Sequence, residues 1–307
     1  MLVGAAYKKL VACRPSAERE IAVLLDVQSQ CNGLSSSIGE WDVHYLSQIY
    51  KERAYGIEHY HEIHKFLNLG NLLSGLANLL NKLYGVRIEE HRVERGEMWD
   101  GNIIKLDVFS AVDRFLGTVY LDIDRRSTKA VGDCHFTVRC SKQVLQTVLR
   151  NPDGKCVRIE DAASTIASRF AFSSLEIMQQ ASYALFDLEL HAPDAARLLR
   201  EGRITTTNLF NSIITKALPH LDRQADTAFQ HRFHHLVQYG AKYYSYMVAR
   251  SAASLIWNSK FRDSPFSRTE GEKWMKLRHL VPPGTESELE FSVHAPNFDL
   301  LQFSYVE

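Results

Sequence analysis

The stretch Phe233–Arg250, FHHLVQYGAKYYSYMVAR, gathers residue types that can do chemistry. Tyr243 and Tyr246 are three apart, so on a helix their hydroxyls point to one side. Gly240 permits backbone geometries that a side chain would forbid. Histidine, a mobile glycine and two phenols on one face suit a site that grips a peptide and stabilises negative charge on its carbonyl. The same residues would also build a buried aromatic patch with satisfied hydroxyls.

Other catalytic constellations are weaker. Of the thirteen histidines none begins an H-E-x-x-H, the helical pair that binds zinc around a general-base glutamate. His61-Glu62-Ile63-His64 comes nearest, with histidines three apart and His59 beside them, and it reads as a solvated stretch before a leucine-rich helix. His231, His234 and His235 have helical ligand spacing but no third ligand. Asp133 and His135 would share a face of a strand. No G-x-S-x-G elbow occurs, and Gly70–Gly75 has Leu76-Ala77 where a phosphate loop needs Lys-Ser/Thr. No G-x-G-x-x-G is present. Cys134 beside His135 reads as a strand cysteine, not a thiolate nucleophile. We therefore expect no metal to be held.

The elements that must position these residues sit in a chain of 307 residues, 45% hydrophobic and 23% charged, which is long enough for a sizeable core. Thirty-six basic residues balance thirty-six acidic ones, so no footprint for nucleic acid or an anionic membrane is expected. The five cysteines contain no C-x-x-C pair, which predicts a reducing compartment. No apolar run is long enough for a transmembrane helix. Residues 1–17 carry Lys8, Lys9 and Arg14 without an acid, and read as the first helix of the fold rather than a transit peptide.

Ser16 is a candidate N-cap for a helix over 16–31, and a second helix follows Trp41-Asp42. Leucines from Leu69 to Leu83 keep the 3.6 period within a helical region 59–84, with a break expected near Gly70-Asn71 and a C-cap at Gly85. Alternation predicts strands over 102–109, 116–123 and 134–139, a small sheet within 102–139. Residues 141–176 hold the turn Asn151-Pro152-Asp153-Gly154 and a weak helix over 160–169, with no clear packing partner. Helices are expected again over 175–191, 205–220, 227–239 and 241–260. The expectation is a mainly α scaffold in four parts: 1–140, an atypical junction 141–176, a helical region 177–270 and an atypical tail 271–307.

Several blocks resemble the thimet oligopeptidase and mitochondrial intermediate peptidase family of zinc metalloendopeptidases. They are Trp41-Asp42 before Tyr45, LANLLNKLYG with Gly96-Glu97-Met98-Trp99, LGTVYLDIDRRSTKAVGDCHFTVR (116–139), MQQASYALFDLELH (178–191) and FHHLVQYGAKYYSYMVARSAASLIW (233–257) followed by Asp263, Pro265 and Phe266. The phrasing CHFTVR and YGAKYYSY is similar to the mitochondrial intermediate peptidase branch. The resemblance implies a mostly helical, two-lobed fold around a peptide channel. It also implies removal of N-terminal octapeptides from imported precursors, a peptide or presequence as partner, and the mitochondrial matrix as location, the cytoplasm being the alternative. It assigns oxyanion support to Tyr243 and Tyr246, and substrate contact to His235 with Tyr239 and Gly240.

The family holds zinc on helices expected between the CHFTVR strand and the block at 178, where this chain has no histidine at all. On this reading the metal helices are deleted, and the chain is expected to be an inactive relative. The alternatives are a non-catalytic peptide-binding or interaction protein, and a truncated isoform or gene-model error.

Overall fold

The computed structural model describes residues 2–32, 37–56, 63–94, 96–97, 99, 101–127, 148–151 and 153–279. The expected strand 134–139, the residues His59, His61, Glu62, Asp133, Cys134 and His135, and the tail beyond 279 lie outside them. In chain order come α1 (Leu2–Asn32), β1 (Ile38–Gly39), α2 (Val43–Tyr55), α3 (Leu69–Tyr84), β2 (Arg87–His91), β3 (Ile104–Phe109) and β4 (Phe115–Leu121). Then follow α4 (Ile159–Phe170), α5 (Ser173–Leu190), α6 (Ala195–Arg200), α7 (Thr206–Ala217), β5 (Leu221–Asp222) and a 3-10 turn (Phe229–Arg232). The last described elements are α8 (His235–Gln238), α9 (Tyr244–Ile256), a π-helical turn (Trp257–Phe261) and α10 (Arg268–His279). The fold is mainly α with a small sheet, as the sequence predicts.

The chain forms two compact units. The first draws its described residues from Met1–Ile57 and Ala167–Leu255, the second from Glu58–Ile166 and Ile256–Phe291.

The first unit is built around α5. Buried residues occur on almost every side of this helix, from Leu175 and Met178 through Ala181 and Leu185 to Phe186 and Asp187, so it must be enclosed by neighbours. α1 covers one side with Leu10, Ala17, Ile21, Leu24 and Val27, and α7 covers another with Phe210, Ile213, Ile214 and Ala217. The helix expected over residues 1–17 and the one expected from Ser16 are a single helix, and the N-cap expected at Ser16 is wrong. α1 begins at Leu2 and runs through Pro15, because the apolar stripe of Leu10 and Ala17 outweighs the one backbone hydrogen bond that a proline removes. The residue preceding α5, Phe172, has a left-handed φ of 64° and offers no side-chain cap. Glu20 of α1 supplies it: its carboxylate accepts the N–H groups of Ser174 and Leu175 at 3.0 and 2.8 Å. A carboxylate at a helix N-terminus satisfies orphan donors and opposes the helix dipole, so the cap also fixes α5 against α1.

The second unit carries the antiparallel sheet in the order β2-β3-β4. β3 and β4 fall where alternation predicts them, and the third described strand is β2. Asn68 caps α3, accepting from the N–H groups of Gly70 and Asn71, so the expected break at Gly70-Asn71 becomes the helix start. Gly85 closes α3 in the left-handed region at φ 70°. Part of the junction has a partner after all: Leu149, Val157 and Ala162 form a buried cluster with Leu72, Phe66 and Ile63. Gly75 lets the Val148 main chain approach α3 where a Cβ would collide with it.

Candidate functional site

The site is assembled on one face of α5. Gln180, Tyr183, Asp187 and His191 recur at steps of three and four residues and so line one stripe. Each of them touches the segment from Phe229 to Tyr246.

Asp187 is fully buried. Its Oδ1 accepts the Ala241 N–H and its Oδ2 accepts the Tyr243 N–H, both at 2.9 Å. His191 Nδ1 lies 2.8 Å from the Asp187 carbonyl and 3.1 Å from Oδ1. With the proton on Nδ1 the imidazole donates to both, and Nε2 is left facing Gly240. A buried carboxylate is tolerable only when its lone pairs are filled in this way.

The turn between α8 and α9 departs from the expected geometry. The left-handed dihedral falls on Ala241, at φ 60°, and not on Gly240. The demand for glycine at 240 is one of space, since a Cβ there would lie 2.5 Å from His191 Nε2 and 3.0 Å from Cε1. Gly240→Ala is therefore expected to displace the imidazole and to destabilise the first unit by about 1–3 kcal/mol, the usual range for overpacking. His191→Ala should absorb most of that loss. Denaturation of the single and double variants checks this, and simple additivity would contradict the steric account.

Tyr243 stands one residue ahead of α9 rather than within it. Its ring still meets that of Tyr246, with centroids 5.1 Å apart. The two phenols are not equivalent. Tyr243 is 8% exposed and its hydroxyl donates to Gln180 Oε1 at 2.8 Å. Burial pushes its pKa well above the ordinary phenol value, with the neighbouring Tyr183 and Tyr246 adding to the rise. Tyr246 is 46% exposed, and among the described residues its hydroxyl has no hydrogen-bond partner. The free donor is thus Tyr246, while Tyr243 is committed to the scaffold.

Behind the tyrosines an aromatic column runs into the core. Tyr183 stacks on Phe210 and Phe229 and meets Phe233 and Tyr243 edge-on. Its hydroxyl is pushed up to about 12, chiefly by burial. His235 packs within about 6 Å of Phe233, Tyr239, Tyr243 and Tyr246.

At the surface end of the column lies an open cleft of about 140 Å³ lined by His235, Tyr239, Lys242, Tyr243, Ser245 and Tyr246. Four of the five residues singled out in the sequence thus line one cleft, and Gly240 supports its wall. The lining offers hydroxyl, imidazole and ammonium groups and no carboxylate. It can donate hydrogen bonds to a carbonyl or carboxylate oxygen, and its rings can hold an apolar or aromatic group.

Sequence reasoning missed Asp187, Gln180 and His191, and also Lys242 and Ser245. An acid inside the apolar run ALFDLEL is the signal that would have found Asp187, because such a group must be paired.

The three histidines with ligand spacing do not share a helix. His231 lies in the 3-10 turn, His235 opens α8, and Phe233 breaks the helical path between them at φ −95°, ψ 84°. His231 Nε2 lies 3.3 Å from the Thr206 hydroxyl. Among the described residues no three His, Cys, Asp or Glu side chains are disposed to hold a metal, and no helix is long and apolar enough to cross a membrane.

Peptidase family M3 matches the sequence over residues 5–153 and again over 143–280. Similar curated proteins include the mitochondrial intermediate peptidases of Candida glabrata, 24% identical over 345 residues (79% of this chain, 45% of the relative), and of Mus musculus, 25% identical over 333 residues (84% and 47%). That of Homo sapiens is 24% identical over 336 residues, again covering 84% and 47%. The chain spans a little under half the length of these relatives.

Proposed function

The chain belongs to peptidase family M3, and from that premise we propose that it is a peptide-binding relative of the mitochondrial intermediate peptidases that does not hydrolyse what it binds. One observation carries the second half of this reading: none of the thirteen histidines in these 307 residues begins an H-E-x-x-H. The family is zinc-dependent, and the donor sets among the described residues do not fit that metal, since their histidines are split between short elements and the cleft has no carboxylate. The match to the family in two overlapping pieces, meeting at 143–153, supports a missing zinc-binding segment within the stretch 140–178.

What remains is the wall of a peptide site. Tyr246 supplies a free hydroxyl, Tyr243 holds its ring in place, and His235 with Tyr239 closes one side. Gly240 allows the turn to lie against His191. The ligand is an extended peptide of the presequence kind, and the compartment, by the names of the relatives, is the mitochondrion.

A labelled presequence peptide titrated with the full chain is expected to bind saturably. Tyr246→Phe removes one hydroxyl donor and should weaken binding by a few-fold, about 1 kcal/mol. No saturable binding at high micromolar protein would defeat the proposal.

A further inference from the structure

We propose that Asp187, backed by His191, is the positioning residue of this site, fixing the turn 239–243 so that Tyr243 stays anchored and Tyr246 faces the cleft. α5 is otherwise an apolar helix at this level, with Leu185 and Phe186 buried beside Asp187. A carboxylate there weakens the core unless its hydrogen bonds are complete. They are complete, and two of the three groups it engages are main-chain N–H groups of one turn, at Ala241 and Tyr243. The turn needs such a hold. Ala241 is in the left-handed region, which disfavours any residue with a Cβ, and α8 before it is a single turn. Asp187 grips the N–H groups on both sides of Lys242, a residue of the cleft wall. His191 presses on Gly240 and binds Oδ1 of the same carboxylate, so it fixes the rotamer of Asp187 and the entry to the turn together. Tyr243, tied at its N–H to Asp187 and at its hydroxyl to Gln180, then directs Tyr246 through their ring contact.

Amide hydrogen exchange tests this without any ligand, using the full chain labelled at alanine and tyrosine nitrogens. The Ala241 and Tyr243 amides are expected to be protected in the wild type, although they belong to a surface turn. Asp187→Ala should lower the protection of both by about tenfold or more. Should that variant fail to fold, Asp187→Asn decides the matter: it keeps one acceptor oxygen, so one of the two amides should lose protection while α5 stays protected. The second readout rests on the proposed peptide binding. Tyr246→Phe, which weakens binding in the wild type, should weaken it little further in Asp187→Asn, whereas a purely structural Asp187 would leave the two effects independent. Unprotected Ala241 and Tyr243 amides in the wild type, or unchanged protection in the variants, would overturn the proposal. If the wild type binds no peptide, the proposed function fails and the exchange result still decides this one.

Discussion

Mixed with zinc and an internally quenched peptide, the chain is expected to release product no faster than buffer does. Peptide hydrolysis by a metallopeptidase needs a water whose pKa has been lowered by a metal, and a group that orients it. The cleft supplies neither. Tyr246 can donate to a developing oxyanion, and one such donor accounts for about 10²–10³ in rate, but stabilising the charge produces no attacking hydroxide. A general base would contribute about 10²–10⁴ more. The imidazole of His235 is packed among Phe233, Tyr239, Tyr243 and Tyr246, and among the described residues no carboxylate orients it. The Asp187–His191 pair beneath the cleft is committed to the main chain, with both Asp187 oxygens on amides and His191 Nε2 against Gly240. The assay compares zinc, chelator and buffer across several peptides. Zinc-dependent release, abolished by chelator and reduced by Tyr246→Phe, would show that ligands outside the described residues complete a metal site.

Where one periodicity dominates, the sequence disclosed the structure. The leucines of α3, ending at Gly85, and the alternating residues of β3 and β4 leave each element with one face to bury. Where two signals compete, it did not. Pro15-Ser16 looks like a helix start, yet the apolar stripe of α1 continues through it. β2, with sequence RIEEH, has too little apolar alternation to announce itself and becomes a strand because β3 offers it an edge. The site was legible in part for a related reason. Tyrosines, histidine and glycine declare themselves by type, and four of the five residues selected line the cleft. Asp187 lies 54 and 56 residues from the amides it binds and Gln180 63 residues from Tyr243, and the need for Asp187 arises only once the turn is folded against the helix. The space demanded at Gly240 likewise belongs to His191, a neighbour that no local pattern reveals.

Phe210→Ala should be among the most damaging single changes in the first unit, with an expected loss of about 3–5 kcal/mol for a buried phenylalanine. Phe210 is 1% exposed. Its ring meets Phe186 edge-on at 5.0 Å, stacks on Tyr183 at 6.0 Å, and carries the Arg223 guanidinium at 5.0 Å. Phe186 on α5 is itself fully buried, so the neighbourhood has little freedom to collapse into the space left behind. The loss is a large share of a typical folding free energy of about 5–15 kcal/mol. It should also reach the site. Tyr183 bridges Phe210 to Phe233 and Tyr243, so its ring would relax toward the cavity and loosen the packing under the tyrosines of the cleft. Hydrogen exchange of the slowest α5 and α7 amides measures the stability of this unit by itself. Phe210→Leu, which leaves a smaller void, should cost markedly less. The coupling to the site is read from a cycle with Tyr243→Ala: two changes joined by one aromatic column should fall short of additivity by at least about 0.5 kcal/mol. A loss under about 1 kcal/mol for Phe210→Ala, or full additivity, would mean that core and cleft are supported separately.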